Sequence, residues 1–115
     1  MLTVYGIPNC DKMKKVFKML EAANIEYNLY NYKKSKPTKE LLQKWRSADG
    51  EWPVNKRGTT YRKLKDAFEV ASDNEKCQLI IENSSMIKRP IVEDEKNIVS
   101  IGDLDSLSTH VNEKM

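Results

Sequence analysis

A chain of 115 residues with 20 basic and 17 acidic side chains, a net charge of +3 and 39% hydrophobic residues has room for one sizeable core under a well-solvated surface. The near-balance of charge argues against direct nucleic-acid binding, which calls for a concentrated basic stripe, and suits a small anionic ligand better. No apolar run approaches the roughly eighteen residues that span a bilayer, and Met1 leads straight into a strand without a signal peptide, so a cytoplasmic protein with no membrane contact is expected.

The first strand is read at Leu2 to Tyr5, broken by Gly6 and Pro8. Met13, Val16, Phe17, Leu20 and Ala23 recur at helical spacing, predicting a helix over 11–23 with Lys12, Lys14, Lys15 and Lys18 in solvent and Asn24 as its stop. Ile25, Tyr27 and Leu29 alternate, predicting a second strand over 25–32, parallel to the first because a helix intervenes. Lys33, Lys34 and Lys36 form a short basic cluster, which as a solvated linker receives no function.

Thr38 is placed as N-cap of a second helix over 38–48, carried by Leu41, Leu42 and Trp45. Asp49-Gly50-Glu51 reads as a turn, and residues 54–64 as an unusually polar stretch. From Asp73 the chain turns helical again with Cys77, Ile80 and Ile81 on one face, ending at Ser84-Ser85. A third strand follows Met86 to Pro90, and a turn over 93–97 reverses the chain into a fourth at 98–101. The last helix is expected over 103–112, capped by Asp103, with Leu104, Leu107 and Val111 inward, His110 exposed and residues 113–115 frayed.

Cys10 falls where a strand hands over to a helix start. There the unpaired N–H groups of the first turn and the positive end of the helix dipole favour thiolate over thiol. The neighbouring lysines add to this and Asp11 opposes it. Many cysteines are merely small buried apolar residues, but such a residue needs no Gly-x-Pro-x turn before it, so Cys10 is the candidate nucleophile. Helical apolar spacing accounts for Cys77 as a core residue. A disulfide between the two is not expected in a reducing compartment, and no Cys/His spacing matches a metal site.

A parallel pair, a helical block, an antiparallel hairpin and a closing helix make an α/β protein: a thioredoxin-like mixed four-stranded sheet with helices on both faces and an inserted helical subdomain. The expected organisation is a single domain, with its core at about 1–32 and 86–112 and the helical insert at about 38–85.

Three stretches in this order, residues 5–11, residues 55–64 and residues 82–91, resemble the arsenate reductase and Spx family, nearest to its YffB-like branch. The resemblance implies a catalytic cysteine at Cys10, an anion pocket to which Arg89 contributes, and a cis peptide before Pro90. The sequence departs from that family at named positions. The glutaredoxin-linked arsenate reductases use three arginines. Arg57 or Arg62 would stand in for the first, Arg89 matches the second, and no arginine follows Arg89 to match the third. Gly6 replaces a histidine, and Met13 takes the place of the second thiol in the Cys-x-x-Cys switch of Spx regulators.

A glutathione-dependent thiol reductase is therefore the expected activity, related to arsenate reductases. It would have no bound cofactor, with glutathione as co-substrate, or glutaredoxin as partner, and a small oxyanion or disulfide as substrate. Arg57, Arg62, Arg89, Asn9 and Thr59 are the expected binding residues. Thr59 and Thr60 could equally cap the following helix. The alternative is a non-catalytic Spx-like regulator that docks on RNA polymerase. A monomer is expected in either case.

Overall fold

The computed structural model describes residues 1–114. In chain order its elements are β1 (Leu2–Gly6), α1 (Asp11–Ala22), β2 (Tyr27–Asn31), α2 (Lys39–Asp49), α3 (Thr59–Val70), α4 (Asp73–Glu82), β3 (Ile91–Glu93), β4 (Ile98–Ile101) and α5 (Leu104–Lys114). The chain forms two compact units, Met1–Lys34 together with the residues from Arg89 on, and Ser35–Lys88.

The first unit is built on a four-stranded mixed sheet in the order β2-β1-β3-β4. β1 lies parallel to β2, with Val4 opposite Leu29 and Gly6 opposite Asn31. It lies antiparallel to β3, with Tyr5 opposite Ile91 and Val4 opposite Val92. Strand side chains alternate between faces, so Leu2, Val4 and Val92 share one face. Met13, Val16 and Leu20 of α1 and Leu107 and Val111 of α5 complete a single buried cluster with them. Both helices of this unit thus cover the same face of the sheet, and Tyr5, Ile91 and Glu93 on the other face are buried too.

The end of α1 shows how local chemistry positions this layer. Asn24 takes the left-handed conformation at φ 56°, its N–H donates to the Glu21 carbonyl, and the Ile25 N–H reaches back to Leu20. This double bond pattern satisfies the last carbonyls of the helix and turns the chain into β2. Phe17 then stacks on Tyr27 with ring centres 5.6 Å apart. β2 begins two residues later than the alternation from Ile25 suggested, since 25 and 26 are spent on leaving the helix.

The second unit is helical. Thr38 caps α2 by accepting from the Leu41 N–H at 3.2 Å, and Gly50 closes it in the left-handed conformation. Leu42 and Trp45 are fully buried. Arg46 lies over the Trp52 ring at 4.3 Å and pairs with Asp73 at 3.1 Å. A reciprocal Ser72–Glu75 capping box starts α4, which buries Cys77 and Ile80 while Ile81 stays half-buried.

α3 is an element the sequence reading did not place. Its core positions Tyr61 and Phe68, with Leu64 between them, follow helical spacing, but the polar residues around them mask the signal. The third strand starts at Ile91, directly after Pro90, with a 3-10 turn over Ser84–Met86 earlier in the segment. Two further expectations are corrected. α5 continues through Glu113, which was expected to fray, while Met115 lies outside the described residues. His110 is half-buried, not exposed. Among the described residues no helix is long and apolar enough to cross a membrane.

Candidate functional site

Topology brings Cys10 and Arg89 to the same end of the sheet. Gly6 ends β1 and the chain bends through Pro8 and Asn9 to Cys10, while Arg89 and Pro90 immediately precede β3, whose Ile91 pairs with Tyr5. The Arg89–Pro90 peptide is cis. Pro90 has no N–H to offer the ladder, and its carbonyl is used instead, accepting from the Gly102 N–H at 2.6 Å.

Cys10 is the N-cap residue of α1, in extended conformation at φ −146° and ψ 157°, and its side chain makes no capping hydrogen bond. Its carbonyl accepts from the Lys14 N–H at 3.0 Å. The residue is half-buried and packs in part on the core cluster. The sulfur therefore sits at a helix start whose first N–H groups receive no acceptor from the cap side chain. Asn9 beside it is exposed.

Met13 occupies the position one turn into α1 where a resolving thiol would stand, and it is fully buried. A side chain on Gly6 would collide with it, because a Cβ there lies 2.8 Å from Met13 Cε and 2.9 Å from Sδ. Glycine at 6 and methionine at 13 are thus one packing arrangement under the Cys10 loop.

Arg89 is half-buried and, among the described residues, has no carboxylate partner. A guanidinium cannot shed its charge, so Arg89 keeps a permanent positive charge at this end of the sheet. Arg57 and Arg62 belong to the helical unit, where both are exposed and likewise unpaired. There the Asn55 side chain accepts from the Arg57 N–H at 3.2 Å and its carbonyl from the Gly58 N–H at 3.0 Å, shaping the turn into α3. Gly58 is the N-cap of α3 and supplies no side-chain bond. Thr59, exposed, is therefore a first-turn residue and not a cap. The Thr60 hydroxyl is hydrogen-bonded to that of Ser85 at 2.9 Å.

The sequence reading missed a buried polar pair on the face opposite α1. Glu93, taken there as the start of a turn, is a strand residue only 5% exposed, and its carboxylate accepts from the Tyr5 hydroxyl at 3.0 Å. Burial first, then the Glu93 charge, pushes the Tyr5 phenol above its usual range. Tyr32 is raised by burial as well, and its hydroxyl has no partner among the described residues. At the opposite end of the sheet from Cys10, a cavity of about 520 Å³ is lined by Met1, Leu2, Ile25, Glu26, Asp94 and His110. No group of three or more His, Cys, Asp or Glu side chains among the described residues could hold a metal ion.

A model of the ArsC family matches residues 5–105. The chain belongs to the ArsC family. Its similarity to an uncharacterized protein of Haemophilus influenzae is 39% identity over 95 residues, covering 80% of this chain and 82% of that protein. The regulatory protein MgsR of Bacillus subtilis is 32% identical over 101 residues, 85% of this chain and 80% of MgsR. Among solved structures, the YFFB protein superposes with a TM-score of 0.81 at 28% identity, covering 96% of this chain and 99% of that one. Proteins named as arsenate reductase and as the transcriptional regulator Spx are both similar to this ArsC-family chain. The mixed four-stranded α/β fold of this chain matches that of the YFFB protein.

Proposed function

We propose that this ArsC-family protein is a glutathione-linked thiol reductase with Cys10 as its nucleophile. The observation that carries the reading is the half-buried Arg89 without a carboxylate partner, at the same sheet end as a cysteine at a helix start. Glutathione presents two carboxylates, which suit a guanidinium fork. Asn9, next to the sulfur, is the further polar group of the sheet unit assigned to this clamp. Arg57, Arg62 and Thr59 are candidates carried by the helical unit.

In the proposed cycle the Cys10 thiolate attacks the glutathione sulfur of a mixed disulfide. A sulfur–sulfur bond forms to Cys10 and the substrate leaves as its thiolate. A second glutathione thiolate attacks that same sulfur, releasing Cys10 as thiolate and glutathione disulfide. The substrate sulfur is reduced, one glutathione thiol is consumed, and it leaves joined to the glutathione already present in the mixed disulfide. Met13 in place of a second cysteine makes an external thiol necessary for the second step.

The test is turnover of a glutathione mixed disulfide with the oxidised glutathione read by a coupled reductase, together with mass spectrometry after incubation with oxidised glutathione. The wild type carries one adduct on Cys10, and Cys10→Ser abolishes turnover. Arg89→Gln lowers kcat/KM for glutathione by about ten- to a hundredfold, the loss of a charge-assisted contact of roughly 1.5–3 kcal/mol. Full activity in Cys10→Ser, or an adduct only on Cys77, refutes the assignment. The similarity to MgsR and Spx supports a second reading, a regulator that docks on RNA polymerase without turnover. Retention of a polymerase subunit by wild type and Cys10→Ser alike, with no reductase activity in either, establishes that reading instead.

A further inference from the structure

Six lysines of the sheet unit lie on α1 or just after β2. Lys12, Lys14, Lys15 and Lys18 stand exposed on α1, and Lys33 and Lys34 follow β2. Because β1 and β2 are parallel with Gly6 opposite Asn31, the turn bearing Lys33 and Lys34 lies at the end of the sheet from which the chain leads to Cys10. The Lys34 N–H donates to the Asn31 carbonyl at 3.0 Å and keeps that turn in place. With a rise of about 1.5 Å per residue, Lys12 to Lys15 lie about 3–8 Å along the helix axis from Cys10 and Lys18 about 12 Å. These spans are comparable with the screening length of about 10 Å in 0.1 M salt.

Among the described residues none of these six ammonium groups is paired with a carboxylate. Asp11 and Glu21 are the acids on α1 itself. Asp103, at the start of α5, accepts from the Ser106 hydroxyl and the Asp105 N–H, which hold its carboxyl below the usual range. Because Ile101 pairs with Ile91, Asp103 and Asp105 stand at the Cys10 end as well, and with Asp11 and Glu21 they are outnumbered by the six lysines; Glu26 and Asp94 lie at the far end, around the cavity that His110 lines.

A fixed surplus of unpaired positive charge beside a nucleophile raises the local concentration of negatively charged reactants and discriminates against positive ones. Resting on the reading of Cys10 given above, we propose that the substrate whose mixed disulfide Cys10 attacks is an acidic peptide or protein segment, held against the α1 lysine face. The lysines would supply encounter rate and choice of partner, while Cys10 supplies the chemistry.

The probes are three pentapeptides, Glu-Glu-Cys-Glu-Glu, Ser-Ser-Cys-Ser-Ser and Lys-Lys-Cys-Lys-Lys, each as its mixed disulfide with thionitrobenzoate. Attack by the Cys10 thiolate on the peptide sulfur forms one sulfur–sulfur bond, breaks another and releases coloured thionitrobenzoate. The ratio of rate constants for acidic and neutral peptide cancels the thiolate fraction of Cys10. It is expected to be about tenfold or more in 20 mM salt and to fall below about twofold in 0.5 M salt. K14E/K15E/K18E inverts the order so that the basic peptide reacts fastest, and K14Q/K15Q/K18Q gives an intermediate ratio. Melting curves recorded beside the kinetics establish that both variants are folded.

Equal rates for the three peptides at low salt overturn the proposal while leaving Cys10 a nucleophile. Failure of all three to react while a small neutral alkylating agent labels only Cys77 overturns the reading of Cys10 as well. Salt-dependent capture of a 20-base-pair DNA duplex together with a peptide ratio of one assigns the lysine face to nucleic acid and refutes the acidic-peptide partner.

Discussion

Gly6→Ala is a sharp probe of the packing beneath the Cys10 loop. The added Cβ meets Met13 Cε at 2.8 Å and Sδ at 2.9 Å, well inside the roughly 3.5–4.0 Å of ordinary carbon contact. Met13 is 0% exposed, so its thioether has no solvent to swing into and must displace its neighbours in the core. Overpacking of this kind costs about 1–3 kcal/mol, a fall in Tm of roughly 4–12 °C for a chain of this size. Met13→Ala alone leaves a cavity and costs about 2–5 kcal/mol. In that background the alanine methyl enters vacated space, so Gly6→Ala costs about 1 kcal/mol or more less than it does in the wild type. Urea unfolding of the four proteins, followed by circular dichroism at a common m-value, measures the coupling. An equal cost of Gly6→Ala in both backgrounds would mean that the glycine answers to something other than Met13, and the steric argument fails.

Two further outcomes follow from ionisable groups. The Lys88 ammonium lies 2.8 Å from Asp49 and 3.5 Å from Glu51; burial lowers its pKa, but the Asp49 bond and the two carboxylate charges outweigh that and raise it above 10.5. Its contribution to stability is thus complete below pH 10.5 and lost as pH rises further, so Lys88→Met costs about 1–2 kcal/mol at pH 7, and an unchanged urea midpoint would contradict this. Burial likewise holds Tyr5 and Tyr32 above the usual 10.0, so the folded state keeps protons that the unfolded chain loses and stability falls as pH climbs past 10. Absorbance at 295 nm is expected to show these two phenols ionising only with unfolding, and full reversible ionisation in the folded state by pH 11 would refute the burial argument.

Much of the fold was legible because its signals are local. The stripe of Met13, Val16 and Leu20, the stop at Asn24, the cap at Thr38 and the strand at 98–101 each depend on a few adjacent residues, and each stands in the structure where the sequence placed it. α3 was not legible, because Gly58 offers no capping side chain and the turn before it is made by Asn55. The strand-to-helix position of Cys10 followed from the break at Gly6 and Pro8 and the helical spacing that begins after it.

By itself the sequence determined the secondary elements with clear periodicity, the place of the thiol and the absence of a second cysteine within one helical turn of it. Only tertiary structure decided which charges find partners and which methyl groups have room. Glu93 is buried against a tyrosine 88 positions away, whereas Arg89 and the lysines of α1 have no carboxylate partner among the described residues. Periodicity, caps and turns are settled over distances of one or two helical turns along the chain. Coulomb pairing and steric exclusion act through space, between segments whose meeting is fixed only when the sheet aligns β1 with β3.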